Sequence, residues 1–178
     1  MKIRLMPAVL TAVISAGLLV GGWFTYHSMA AVKPLERIVA GTPGVLDSTP
    51  VINRNTVTID MKLDRTANIR DVYDHIATEG ESIIGDRELK LNVGDAKPSK
   101  QLEDVWSTML FDVAQAMDHR EYASIPQATK EAQAKYPAVT VTSEMDDSNV
   151  YITLKDDASV KYVVLPRTPN TMGAWPNV

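Results

Sequence analysis

The 178-residue chain has no cysteine and carries 18 basic against 22 acidic residues, a formal net charge of −4. Without cysteine the chain cannot form disulfides or carry the lipid of a lipoprotein, so its domain must be stabilised by a hydrophobic core. The net negative charge argues against nucleic-acid binding and against a domain that lies on anionic lipid.

The first 32 residues predict a membrane anchor. Lys2 and Arg4 precede the uncharged stretch Leu5–Phe24. A bilayer core about 30 Å thick needs about 20 apolar residues in a helix, which this stretch supplies. Positive residues favour the cytoplasmic side, and the aromatic residues at positions 23, 24 and 26 favour the far interface. We therefore expect residues 1–32 to form a short cytoplasmic end and a single-pass transmembrane signal anchor in the cell membrane.

A cleaved signal peptide is the alternative interpretation of the same segment. Ser28 and Ala30 place small residues at the two positions that a signal peptidase reads, on either side of Met29. Cleavage after Ala30 would release a secreted protein. The apolar stretch is longer than the 7–15 residues or so of an ordinary signal peptide, which favours the anchor. In both cases the remainder of the chain is expected outside the cytoplasm, as part of a cell envelope.

The segment that follows the apolar stretch is rich in proline and glycine. Residues 33–54 contain three prolines and two glycines and have no periodic apolar face, which predicts a linker with at most a short helical piece at Leu35–Ala40. The next segment, 55–167, predicts one extracytoplasmic α+β domain. Residues 168–178 include two more prolines and predict a loose C-terminal tail.

The domain's predicted elements follow in order. Alternation over Val57–Leu63 predicts a strand with one wet face, and apolar residues spaced by threes and fours predict a helix starting near Ile69, capped by Thr66 or Asn68. A second strand follows at Leu89–Val93. The later elements are a long helix, a helix that begins with a capping box at Ser124–Gln127 and ends at a proline, and three hairpin-connected strands: Val139–Met145, Val150–Lys155 and Val160–Leu165.

This β-α-β-α-α-β-β-β order predicts a two-layer α+β sandwich, in which a mixed sheet of about five strands has its helices on one face. The stripe on the long helix is interpreted as part of the core; the alternative is that it lines a groove for a partner. The stripe consists of Trp106, Met109, Leu110, Val113 and Met117.

No catalytic, cofactor-binding or metal-binding residues are predicted. The three histidines do not form the close pair on one helical face that zinc enzymes use: His27, His75 and His119. Two acidic pairs, Asp146-Asp147 and Asp156-Asp157, lie in predicted hairpin turns, where aspartate is favoured for backbone reasons. They lack the ligand pattern of a calcium loop.

These observations favour a membrane-tethered extracytoplasmic interaction or assembly module, expected to serve as an accessory subunit of a cell-envelope complex. Its expected partners are the membrane, through the N-terminal helix, and another protein or a second copy of itself; no nucleic acid is expected. An exposed apolar patch on the sheet or along the long helix should then be present. The alternative is an anchored small-ligand-binding or enzymatic domain, which needs a pocket with convergent polar groups.

Overall fold

The computed structural model describes residues 13–22, 32–94 and 98–167. Within those ranges no helix is both long and apolar enough to cross a bilayer. Residues 13–22, which belong to the predicted anchor, are helical and exposed. The rest of that anchor, the cleavage site after Ala30 and the tail over 168–178 lie outside the described residues.

The first half of the fold is a three-stranded sheet with helices. Strand β1 pairs antiparallel with β2, and β2 pairs parallel with β3. The parallel pair is joined by a helical crossover, as parallel strands require. The elements in chain order are α1 (Lys33–Gly41), β1 (Val45–Ile52), β2 (Thr56–Leu63), α2 (Ile69–Glu79), the short α3 (Glu81–Ile84) and β3 (Glu88–Val93).

The second half is a helical hairpin followed by an antiparallel meander. Strand β5 is central, with β4 and β6 as its neighbours. The elements are α4 (Lys100–His119), a 3-10 turn (Tyr122–Ser124), α5 (Ile125–Lys135), β4 (Thr140–Met145), β5 (Asn149–Lys155) and β6 (Val160–Pro166).

The α+β class is confirmed, but the single sheet of about five strands is wrong. The six strands within the described residues form two separate sheets of three, because β3 and β6 do not hydrogen-bond to each other. The prediction of helices on one face also fails for the second sheet, which is covered on both faces. Alternating side chains of β5 explain this: Tyr151 packs into the first core, whereas Val150 and Ile152 pack into the second.

Residues 33–54 were predicted to be a linker with a short helical piece at Leu35–Ala40; that helix is present as α1, and the remainder forms the strand β1 rather than a linker. Leu35 and Val39 of α1 are completely buried in the first core. The prolines are compatible with these elements for different reasons. Pro34 lies in the first turn of α1, where a missing N–H costs nothing. Pro50 lies opposite Ile59 on an edge strand, and there its missing N–H points away from β2.

Other predicted elements are confirmed. The alternation in β2 buries Val57, Ile59, Met61 and Leu63. Asn68 caps α2, its Oδ1 accepting from the N–H of Arg70 at 2.9 Å and of Asp71 at 3.4 Å. The capping box at the start of α5 is not formed, because the Ser124 hydroxyl donates backwards to Glu121 O at 2.7 Å.

Candidate interaction sites

A groove of about 630 Å³ lies between β3 and the end of β6. We call it the larger groove, because a second groove, which follows α4, has a volume of about 370 Å³. Helix α2 contributes Tyr73 and Ala77 to the larger groove, and Ser148 and Asn149 line it where the β4–β5 turn enters β5. The other strands contribute five consecutive residues of β3 and two residues of β6: Glu88, Leu89, Lys90, Leu91, Asn92, Val164 and Pro166. Its volume lies within the range of about 300–1,000 Å³ that small-ligand sites have.

A polar cluster reaches this groove through Asn149. Asn149 is buried, and its Nδ2 donates to the Tyr151 hydroxyl at 3.2 Å. That hydroxyl in turn donates to Oδ2 of Asp146 at 2.5 Å. The other carboxylate oxygen of Asp146 accepts from the backbone N–H of Ser148 at 2.6 Å and of Asn149 at 2.7 Å. The cluster therefore holds the β4–β5 turn against the groove.

The electrostatics of the cluster favour a neutral phenol beside a charged carboxylate. Burial raises the pKa of Tyr151, and its hydrogen bond to the Asp146 carboxylate raises that pKa further. Burial also tends to raise the pKa of Asp146, but the hydrogen bonds from Tyr151, Asn149 and Ser148 outweigh it, so the pKa of Asp146 is lowered. This arrangement stabilises the turn.

Arg167 fixes the C-terminal end of β6 beside the same turn. Its Nη1 donates to Asp146 O at 2.6 Å, and its guanidinium lies 4.7 Å from the centre of the Tyr122 ring. Its Nε is buried and has no hydrogen-bond partner within the described chain. Cation–π contact and one strong hydrogen bond thus orient this side chain.

A second, smaller groove of about 370 Å³ follows α4 and has mostly apolar walls, with Asp118 and Arg167 as its charged members. We call it the α4 groove. Its apolar walls are Trp106, Leu110, Val113, Ala114, Met117, Leu165 and Pro166.

The core interpretation of the α4 stripe is right in part. Met109 and Val113 are each 1% exposed and belong to the second core. Leu110, however, is 39% exposed, and the neighbouring Phe111 is 78% exposed. The reason is helical geometry: a residue next to a core position turns by about 100° and leaves the buried face. The expected exposed apolar patch along the long helix is therefore present.

The histidines and the acidic pairs lie on separate elements of the structure. His75 and His119 are exposed, on α2 and at the end of α4, and His27 lies outside the described residues. Asp146 and Asp156 accept hydrogen bonds within their own turns. In the part of the chain that is described, no three histidine or acidic side chains are grouped closely enough to hold a metal ion.

Sequence reasoning missed the Asn149–Tyr151–Asp146 cluster. The sequence of β5 contained a signal: Asn149 and Tyr151 alternate with Val150 and Ile152, so the polar side chains share one face and the apolar ones the other. Such a pattern indicates a strand that is covered on both faces and holds a polar contact on one of them.

No protein-family model, no curated protein and no solved structure matches this chain. The two grooves are therefore the features from which a function can be proposed.

Proposed function

We propose that this protein is a membrane-tethered extracytoplasmic interaction module that binds another protein through the α4 groove, as an accessory subunit of a cell-envelope complex. The observation that carries the proposal is the exposure of Leu110 and Phe111 beside the apolar groove. Large apolar side chains grouped on a surface and flanked by charged residues are typical of protein-binding sites.

The tether is supported by the sequence of the N-terminal segment. Leu5–Phe24 has the length and the lack of charge that a single-pass helix needs, and Lys2 and Arg4 favour a cytoplasmic N-terminus. A tether of this kind places the domain, and the contacts it makes, outside the cytoplasm. Its negative charge favours protein partners over nucleic acid.

Site-specific photocrosslinking tests the α4 groove in the intact membrane. A photoreactive phenylalanine analogue at position 111 is expected to form a specific crosslink to a second protein. The matched control carries the same analogue at Asp60, which is exposed on the solvent face of β2. A crosslink at position 111 that is lost in a Leu110→Asp background supports the proposal. Equal labelling at both positions, or no crosslink at position 111, contradicts it.

The larger groove favours a second candidate function, the binding of a small ligand. Its volume and the buried Asn149 at its end support this alternative. A fragment screen monitored by NMR on the side-chain amide of Asn149 tests it. Fragments that shift this resonance would support a ligand site, and a screen without any such shift would exclude it.

A further inference from the structure

A nearly buried amide, that of Asn149, lines the larger groove. This asparagine is 5% exposed and lies where β5 begins. Its backbone is paired within the β4–β5 turn, because its N–H donates to Asp146 Oδ1 at 2.7 Å and its C=O accepts from the Asp146 N–H at 3.0 Å. What this residue offers to a ligand is therefore its side-chain amide.

The orientation of this amide is fixed by its neighbours. The Tyr151 hydroxyl gives its hydrogen to the Asp146 carboxylate, so towards Asn149 it can only accept. The nitrogen of the amide must therefore face Tyr151, and Nδ2 donates to the Tyr151 oxygen at 3.2 Å. The amide also donates to Tyr73: burial raises the pKa of Tyr73, and a hydrogen bond from the Asn149 side chain partly offsets that rise. Both N–H groups are thus directed at tyrosine oxygens.

The oxygen of the same amide is left without a donor. Asn149 Oδ1 accepts no hydrogen bond from the described part of the chain. Among the described residues, the side-chain polar atom that is both fully buried and unpaired is Arg167 Nε, so Asn149 Oδ1 keeps a small accessible surface. Because Asn149 lines the larger groove, that surface opens into it. An acceptor this close to burial is poorly hydrated, so a ligand that supplies the missing donor gains a hydrogen bond at little cost in lost hydration.

The cationic side chains of the larger groove are already engaged. Arg87 donates three hydrogen bonds of 3.1 Å to backbone oxygens. Lys90 Nζ lies 3.2 Å from a carboxylate oxygen of Glu88. An anionic ligand would have to displace one of these contacts. Glu81 is exposed, so water screens its charge and it attracts a cation only weakly. The groove therefore favours a neutral ligand.

Apolar side chains from three elements form the remaining wall of the groove. Ala77 belongs to α2, Leu89 to β3 and Val164 to β6. The volume of about 630 Å³ exceeds the roughly 150 Å³ of an engineered apolar cavity that binds benzene. A ligand with one ring or two fused rings therefore fits, with its apolar body against these side chains.

We propose that the larger groove binds a small neutral ligand with an apolar ring and a hydroxyl or N–H group that donates to Asn149 Oδ1. Isosteres that can only accept a hydrogen bond bind more weakly, because both N–H groups of the amide are engaged by Tyr73 and Tyr151. This inference rests on the second candidate function, small-ligand binding in the larger groove. It does not depend on a protein partner at the α4 groove.

Two pairs of matched probes test the requirement for a donor. Indole and benzofuran differ by an N–H against an oxygen, and 1-phenylethanol and acetophenone differ by a hydroxyl against a carbonyl. Each probe is titrated into the full-length chain in lipid nanodiscs, and the side-chain amide of Asn149 is observed by NMR. Indole and 1-phenylethanol are expected to bind about three- to tenfold more tightly than their counterparts. Equal affinities within the pairs would overturn this inference and leave the ligand site standing, whereas four probes that shift no resonance would overturn both.

Two asparagine variants localise the donated hydrogen bond. Asn149→Ala removes the acceptor and is expected to abolish the difference within each pair of probes. Asn92→Ala is the matched control, since Asn92 lines the same groove but is exposed, and its Nδ2 donates to Asp60 Oδ1 at 2.9 Å. Circular dichroism establishes that both variants are folded, and the backbone amides of β3 report binding in both. A difference that persists in Asn149→Ala, or that is lost in Asn92→Ala, would overturn the proposal.

Discussion

The Tyr151 ring meets the Tyr73 ring edge-on, with 5.8 Å between the ring centres and 61° between the planes. Tyr73 lies on α2 and Tyr151 on β5, so this contact joins the helix of the first sheet to the central strand of the second. The first core also includes Tyr162 and Val164 of β6 at its margin. Apolar packing and side-chain hydrogen bonds thus join the two sheets, such as the bond from the Tyr162 hydroxyl to Asp64 O, while no strand ladder connects them within the described residues.

The Tyr151 hydroxyl should contribute measurably to stability. Tyr151→Phe removes the donor to Asp146 and the acceptor for Asn149, and we expect the free energy of unfolding to fall by about 1–2 kcal/mol. Urea unfolding measures this difference. The control is Tyr122→Phe, which removes a longer bond of 3.3 Å to Arg167 O and should cost about half as much. Equal losses in the two variants would contradict the importance of the Asp146 contact.

Acid should destabilise the protein through Asp146 and Asp156. Burial opposes the charged form of Asp156, but hydrogen bonds from Ser99, Ser159 and Ala158 lower its pKa below the usual 3.8. The pKa of Asp146 is lowered in the same way. Because the folded-state pKa lies below the unfolded value, this stabilisation is present above pH 3.8 and is lost as the pH falls through the folded-state pKa.

Urea unfolding at a series of pH values measures this loss, which we expect below about pH 4. Asp156→Asn should make the decline shallower. The neighbouring exposed residue provides the control, since Asp157→Asn removes a carboxylate for which no hydrogen bond is seen within the described chain. A profile that changes equally in both variants would show that general charge repulsion causes the acid sensitivity.

Two substitutions on α4 distinguish its exposed and buried positions. Leu110→Asp places a charge on a residue that is 39% exposed, so the protein should stay folded, with a loss of about 1 kcal/mol or less. Val113→Asp buries an unpaired charge and should unfold the domain, because such a charge costs several kcal/mol. Circular dichroism and urea unfolding distinguish the two. If the Leu110→Asp variant were unfolded, the result would show that Leu110 belongs to the core after all.

Gly80 should tolerate no side chain. A Cβ at this position would lie 2.5 Å from Ile76 O and 2.9 Å from Cδ1 of Ile84. We expect Gly80→Ala to lower the thermal midpoint, with a cost of about 1–3 kcal/mol from overpacking. Gly41→Ala is the control, since nothing lies within 4 Å of its Cβ. That variant should be neutral or more stable, because alanine restricts the unfolded chain. Equal effects in both would contradict the close packing around Gly80.

The local elements of the domain were predictable because their signals lie within a few residues. Alternation over Val57–Leu63 and the Asn68 cap belong to single elements. The ends of β4, β5 and β6 came within one residue of their observed bounds, because aspartate turns separate these strands. The helical piece at Leu35–Ala40 was predicted, but β1 was missed because the prolines and glycines around it are typical of linkers. Gly44, at φ 88°, instead forms the turn that leads into β1.

The division into two sheets was not predictable from these local patterns. How the two sheets meet depends on contacts between distant parts of the chain, such as that between Tyr73 and Tyr151, which are 78 positions apart in the sequence. The same limit applies to Leu110. Its spacing fits the apolar stripe, but only the position of α4 against the second sheet decides which side of the stripe remains uncovered.

Tyr151, Tyr162 and Val164 pack in the first core although they lie near the end of the chain. A chain that is made or exported from its N-terminus completes α1 to β3 long before these three side chains emerge. Until then the first core, which α1 and α2 already cover in part, lacks these three side chains. The Tyr162 hydroxyl, which donates to Asp64 O at 3.1 Å across 98 positions of sequence, joins the last strand to the first half of the fold. A nascent chain that stalls before β6 therefore leaves part of both cores exposed.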